Sequence, residues 1–264
     1  MCIRDSDPVV NLTIMGLIII GGLGFLVWAN LHHTRKLSDM QLHTKLVLVI
    51  TAILILFGAV AFFISEYKNP KTMGGFSIPE KILASSFQSV TPRTAGFNTI
   101  DQGGMTEISK FITVLLMFIG GSPGSTAGGI KTVTFGVVLL AVISVIRGKR
   151  DTNIFQKRIS TTLIMRSMAI IVLSMFYVLV TFLIVVSVEQ KPIIDCLLEV
   201  VSAFGTVGLS ANLTPSLHDV SKVALSLLMF TGRVGGITLA MAMSLRSKED
   251  HSKIRYPEAK VMVG

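Results

Sequence analysis

Two short stretches carry the chemistry that this sequence offers: Thr94, Ala95, Gly96, Phe97, Asn98 and Thr206, Val207, Gly208, Leu209, Ser210. Neither holds a nucleophile, an acid–base pair or metal-ligand spacing. Each places one glycine between a short apolar run and a long one. Glycine readily adopts positive φ, which lets successive carbonyl oxygens aim at one axis. Oxygens so aimed can replace the hydration shell of a cation. An ordinary glycine-containing loop would explain either pentapeptide alone. The two lie 112 residues apart, however (94 to 206), and "LLMFIGG" (115–121) and "LLMFTGR" (227–233) share that offset. Two matches at one spacing indicate a duplicated unit: long helix, short half-helix, polar turn with one glycine, long helix. "LIIIGG" (17–22) resembles "LMFIGG" (116–121) and marks part of a third copy.

A second group of candidates follows the first turn. Gly120, Gly121, Ser122, Pro123, Gly124, Ser125, Thr126, Ala127, Gly128 and Gly129, then Lys131, interrupt an apolar run over 108–146. That run would be about 60 Å long as one helix, nearly twice the roughly 30 Å hydrocarbon core. Glycine and proline disfavour helix interiors, so a break falls here. Gly124, Gly129, Lys131 and Thr132 nearly spell a nucleotide-binding loop, but Ile130 separates glycine from lysine and no strand precedes them. The segment reads as a movable loop below the carbonyl turns; small-residue helix packing through Gly120, Gly124 and Gly128 is the alternative. At the repeat offset Arg233 stands opposite Gly121. A mid-membrane arginine costs at least about 2.5–3.5 kcal/mol, so Arg233 is expected to face the aqueous pathway and touch the loop. A structural arginine held by helix-end carbonyls is the other reading. Arg93 and Glu199 flank the carbonyl turns, either bracing them from behind or lying solvated at the outer mouth. Lys131 either bonds to loop carbonyls or extends to the cytoplasm.

The elements that must position these residues follow from composition. Of 264 residues, 51% are hydrophobic and only 15% charged, and mean hydropathy is +0.70. This is an integral membrane protein. Runs long enough to cross a bilayer, roughly 20 residues each, occupy 9–31, 46–65, 164–188 and 218–245, besides the interrupted run. The net charge of +9 gathers in the loops 32–45 and 146–166 and the tail 246–260. Basic loops stay cytoplasmic, so the charge sets orientation and implies no nucleic-acid partner. Between the first two basic loops lie two spanning runs and the short run 79–92. The chain returns to one side only if the short run dips in and comes back. About 13 helical residues rise roughly 20 Å, too short to cross. The same holds for 193–204. Irregular backbone at membrane depth survives where it is buried in protein or lines water. Cys2 and Cys196 predict no disulfide, and the histidines show no ligand spacing. The opening "MCIRDS" has no signal-peptide core and is expected to be a foreign leader.

The first three residues of "TVGLS" match the TVG of the potassium-channel filter TVGYG. Beyond that, "FQSVTPRTAGFNTID", "MFIGGSPGSTAGGIKT", "SAFGTVGLS" and "MFTGRVGG" resemble the Trk/Ktr/HKT superfamily of potassium transporters. The likeness is strongest to Ktr-type membrane subunits and extends from Asp7 to Gly264, including "YPEAKVMVG". The resemblance implies an all-α polytopic membrane protein of tandem helix–pore-loop–helix repeats of the potassium-channel-like type. It implies potassium as the substrate, held by backbone carbonyls at 94–98 and 206–210, with sodium as a coupling ion and no other cofactor. It also implies an intramembrane gate at 120–129 with Lys131 and Arg233, a homodimer in membrane lipid, and a cytoplasmic ring of nucleotide-binding regulatory subunits. The setting would be a bacterial plasma membrane, with the C-terminus cytoplasmic.

In that frame 7–31 is the last helix of a second repeat, 45–147 the third repeat and 164–246 the fourth. Loops 32–44 and 148–163 connect them, and 247–264 is the tail. The fold is therefore expected to be incomplete at the N-terminus, and two filter strands cannot close a ring. Both turns lack the second glycine of TVGYG, which predicts fewer ion sites. Trk-type coupling or a less selective monovalent cation pathway are the alternatives within this class, an ordinary carrier or a scaffold outside it. No recurring catalytic constellation suggests an enzyme.

Overall fold

The computed structural model describes residues 7–34, 39–149 and 151–235. The expected leader at 1–6, the tail at 247–264 and the end of the last span lie outside these residues. The described elements are α1 (Pro8–Leu23), α2 (Phe25–His33), α3 (Leu42–Glu66), α4 (Ile78–Val90), α5 (Glu107–Phe118) and α6 (Thr132–Ile146). They continue with a two-residue-per-strand hairpin, β1 (Asn153–Ile154) and β2 (Lys157–Arg158), then α7 (Thr161–Glu189), α8 (Ile193–Gly205) and α9 (Asp219–Val234).

α3 and α7, of 25 and 29 residues, are each long and apolar enough to cross a bilayer. Along α7, Val172, Met175, Phe176, Leu179 and Leu183 are exposed, a surface suited to hydrocarbon rather than water. The short helices α4 and α8 have 13 residues each. α4 packs on α3, and α8 packs on α5, α7 and α9. The expected break between α5 and α6 covers 119–131.

One expectation needs correction. The run 7–31 is not one straight helix: α1 and α2 meet at 91°. Gly24 forms the corner with φ 83° and ψ 149°, a conformation open to glycine and strained for other residues. Across the corner the indole Nε1 of Trp28 donates to the Ile20 carbonyl at 3.0 Å, satisfying an acceptor that the broken helix leaves open.

Described residues of the first two basic loops lie close together. Phe155 and Gln156, both at positive φ, turn the β1–β2 hairpin as such two-residue loops require. The Lys45 ammonium lies 5.8 Å from the centre of the Phe155 ring.

Candidate functional site

Both glycine turns sit at the ends of the short helices. In the first, Ala95 N–H donates to the Thr91 carbonyl at 3.2 Å, and the Thr91 hydroxyl donates to the Phe97 carbonyl. In the second, Thr206 N–H reaches the Ala203 carbonyl at 3.0 Å and Val207 N–H the Ser202 carbonyl at 2.9 Å. Gly208 N–H reaches the Ser202 hydroxyl at 3.2 Å. Positive φ recurs at matched positions: Thr94 at 65° and Gly96 at 73°, Thr206 at 51° and Gly208 at 91°. Alternating the sign of φ turns successive carbonyls toward the same side of the strand. A threonine at positive φ is uncommon enough to need support from its surroundings.

The two turns meet backbone to backbone. A Cβ at Gly96 would fall on the Val207 carbonyl oxygen, so only glycine permits this approach. Gly208 has open space beside it, and there φ alone disfavours a side chain. Farther out, the Asp101 carboxylate accepts from Gly103 N–H at 3.2 Å and from the Asn212 side chain at 3.3 Å. This joins the loops that follow the two turns.

Neither flanking charge is solvated at the outer mouth. Glu199 is 5% exposed and accepts from the Ser210 hydroxyl and from Thr214 Oγ1 at 2.9 Å. It holds the outer end of the second turn from behind. Arg93 is 7% exposed, and its guanidinium reaches back to Thr51 on α3 at 3.4 Å. The first turn also has an apolar backing, because Phe97 packs against Met15, Phe87 and Val90.

The loop between α5 and α6 lies against the inner end of the second turn. Gly120 N–H donates to the Ile130 carbonyl at 2.8 Å, Ile130 N–H to Phe118 at 3.2 Å and Thr132 N–H to Gly121 at 3.1 Å. Ser122 and Thr132 hydroxyls are 3.1 Å apart, and the Ser125 hydroxyl donates to the Ser122 carbonyl at 2.7 Å. A Cβ at Gly128 would overlap Thr206 Oγ1 and the Gly205 carbonyl, and one at Gly120 would fall on the Gly128 carbonyl. Thr206 Oγ1 is itself buried without a hydrogen-bond partner. Two cations hold the loop: Lys131 donates to the Ala127 carbonyl and Arg233 to the Thr126 carbonyl. The arginine thus meets the loop that the repeat offset places opposite it.

Two carboxylates that sequence reasoning passed over clamp the outer ends of the helices. Glu66, fully buried at the end of α3, accepts from Thr106 N–H at 2.9 Å and Thr106 Oγ1 at 2.8 Å. Its other oxygen takes Asn69 at 2.6 Å and the Thr72 hydroxyl. Glu189, at the end of α7, accepts from His218 N–H at 2.8 Å and its ring Nδ1 at 3.1 Å. Thr106 and His218 are the N-caps of α5 and α9, 112 residues apart. The available signal was one acidic residue closing each long apolar run. A further pair, Lys110 on α5 and Asp195 on α8 at 2.7 Å, joins the two repeats. Among the described residues no cluster of three or more His, Cys, Asp or Glu could hold a metal ion. Cys196 is buried and free; Cys2 lies outside those residues.

Paired long helices, half-helices ending in facing glycine turns and a broken helix beneath them define a helical polytopic membrane protein built of repeated units. The chain belongs to the TrkH family of cation transport proteins, which residues 4–253 match. It is 43% identical over 259 residues to the Ktr system potassium uptake protein B of Bacillus subtilis, covering 98% of this chain and 58% of that protein. To the protein of the same name from Vibrio alginolyticus it is 37% identical, covering 98% and 57%. To the potassium/sodium uptake protein NtpJ of Enterococcus hirae it is 35% identical, covering 96% and 57%. The solved structure of the potassium transporter TrkH from Vibrio parahaemolyticus shares the fold. Its TM-score is 0.71 at 17% identity, covering 90% of this chain and 52% of that one. The chain therefore spans somewhat more than half the length of these relatives.

Proposed function

We propose that this chain supplies part of a potassium uptake pathway across a bacterial plasma membrane, in which main-chain oxygens of 94–98 and 206–210 dehydrate the ion. The observation that carries this reading is the matched pair of turns, with positive φ at Thr94, Gly96, Thr206 and Gly208 and backbone contact between Gly96 and Val207. A loop serving only as a connection needs neither the repetition nor the contact. Residues 120–129, held by Lys131 and Arg233, act as a barrier at the inner end of the filter. The names of the relatives, two Ktr system potassium uptake proteins and one potassium/sodium uptake protein, support potassium as the transported ion and sodium as the coupling ion. In the same reading the subunit pairs as a homodimer in lipid, keeps its C-terminus in the cytoplasm and works with a cytoplasmic nucleotide-binding regulatory subunit.

The test is growth on low potassium and ion flux in a bacterium lacking its own uptake systems, with this chain expressed from its complete reading frame. Gly96→Ser and Gly208→Ser are expected to lower the preference for potassium over sodium. The effect should be greater at Gly96, where the side chain meets the Val207 carbonyl. Selectivity that stays the same in both variants would remove the carbonyl-filter assignment.

A further inference from the structure

We propose that the corner between α1 and α2 is the seat on which the intramembrane loop rests, making Gly24 and Trp28 positioning residues of the gate. The inference rests on reading 120–129 as a gate and adds the element that holds it in place. Two backbone hydrogen bonds join the corner to the loop: Ser122 N–H donates to the Gly22 carbonyl at 2.9 Å, and Phe25 N–H donates to the Gly124 carbonyl at 3.2 Å. A helix interior could offer neither group, because both would be used within the helix. The right-angled break frees one acceptor and one donor, and the loop takes both.

The fit at the corner is close. A Cβ at Gly24 would fall on the Pro123 carbonyl oxygen, and one at Gly121 would come 3.1 Å from the Gly22 carbonyl. The Phe25 ring covers Gly124, leaving a Cβ there only 3.1 Å from the nearest ring carbon. The hydrogen bond from Trp28 to the Ile20 carbonyl sets the angle between the two helices and so the position of the seat.

α2 also grips the far side of the loop. Val27, fully buried, packs in one apolar cluster with Leu23 and Val47, and Val133 from the first turn of α6 packs against that cluster. The helix therefore touches the loop near its start and the α6 helix just after the loop ends. Beyond α2 the chain enters the basic segment next to α3, where Gln41 N–H donates to the Asn30 side chain at 3.2 Å. A displacement of α2 from that side would move both anchor points together. Arg233 and Lys131 grip carbonyls in the middle of the loop; the corner grips its beginning.

The experiment is potassium flux through the protein expressed from its complete reading frame, normalised to the amount in the membrane. In Gly24→Ala the added Cβ meets the Pro123 carbonyl oxygen and pushes the loop off the corner. A displacement that costs one seat hydrogen bond should raise flux roughly three- to tenfold, with the potassium preference and the KM for potassium unchanged. Trp28→Phe keeps the ring but loses the donor, and should raise flux about twofold. Gly16→Ala, on the same helix with nothing near its added methyl, should behave as the unmodified protein. Flux that is unchanged or reduced in Gly24→Ala would overturn the proposal. Where Gly24→Ala does not reach the membrane, Trp28→Phe decides, and unchanged flux there is fatal to the idea. Deleting 122–129 separates the two inferences. Raised flux in the deletion with none in Gly24→Ala removes the seat alone, whereas no rise in the deletion removes the gate.

Discussion

The two repeated units contain the same glycine turn but support it by different means. Around α4 the support is polar: Glu66 gathers Asn69, Thr72 and Thr106, and Gln88 and Gln102 exchange two amide hydrogen bonds of 3.0 Å while buried. Around α8, apart from Glu199 and the Lys110–Asp195 pair, it is mainly apolar, with Leu198, Val200, Val201, Phe204, Val207 and Leu209 in one cluster with Leu225 and Leu228 of α9. Packing tolerates small adjustments, whereas a saturated hydrogen-bond network has one solution. The helices after the turns differ as well. α5 stops at Phe118, while α9 runs on to Val234 and brings Arg233 to the carbonyls that the break exposes. One unit supplies the loop between α5 and α6, and the other supplies Arg233, which holds it. A duplicated fold thus serves two tasks through a change at one matched site, Gly121 in one copy and Arg233 in the other.

The largest effect that sharpens this contrast is expected at Glu66. All four groups that it accepts from are donors. Glu66→Ala leaves the Thr106 N–H and the Thr72 hydroxyl without an acceptor, while Asn69 keeps the Gly104 carbonyl and the Thr106 hydroxyl keeps Ser109, and should cost about 3–5 kcal/mol. Glu66→Gln should come close to that, because its amide nitrogen would face two donors. Glu189→Ala, with an exposed histidine as partner, should cost less, about 1–3 kcal/mol. Thermal unfolding of the complete protein in detergent measures the order. A penalty at Glu189 equal to that at Glu66 would break the distinction between a polar unit and an apolar one.

A smaller effect concerns the glutamine pair. Gln88→Leu alone leaves the Gln102 side-chain oxygen buried and unpaired, while its nitrogen keeps the Ile100 carbonyl, at a cost of about 1–3 kcal/mol. The double variant Gln88→Leu, Gln102→Leu removes both polar groups and should recover most of that loss, because matched apolar replacement of a buried pair is nearly neutral. A double-mutant cycle on unfolding reads the coupling. Additive losses would mean that the two side chains do not support one another as their geometry implies.

What was legible in the chain was what repetition and length impose. The half-helices expected at 79–92 and 193–204 run Ile78–Val90 and Ile193–Gly205, since a short apolar run bounded by proline and glycine has few other options. The break after Phe118 was legible from five glycines and one proline within 120–132. The corner at Gly24 was not, because α1 and α2 together match a span in length and apolarity. Its cue, the Gly21, Gly22 and Gly24 grouping, acts through tertiary hydrogen bonds to a loop about 100 residues away. Glu66 and Glu189 escaped for a related reason. Before the turns the two units do not align: 67–77 connects α3 to α4, but only 190–192 connects α7 to α8. An offset found in the turns therefore could not pair the two carboxylates.

The smallest effect tests how the two half-helices begin. α4 starts from Ser77, whose N–H and hydroxyl both donate to the Glu80 carboxylate, at 2.8 and 2.7 Å. α8 starts from Pro192 and has no side-chain cap. The Ser77 hydroxyl, then its N–H, hold the Glu80 carboxyl below its ordinary range. A lowered carboxylate pKa contributes order that is present above the unfolded value and is lost as pH falls through the folded one. The amides in the first turn of α4 should therefore lose protection, measured against their intrinsic exchange rates at each pH, in acid below the ordinary carboxylate range of roughly pH 4. Ser77→Ala should show that weaker protection already at neutral pH and respond less to acid, because the hydroxyl that favours the ionised carboxylate is gone. Protection at Glu80 and Lys81 that is the same in both proteins at both pH values would mean that α4, like α8, is held in place by packing alone.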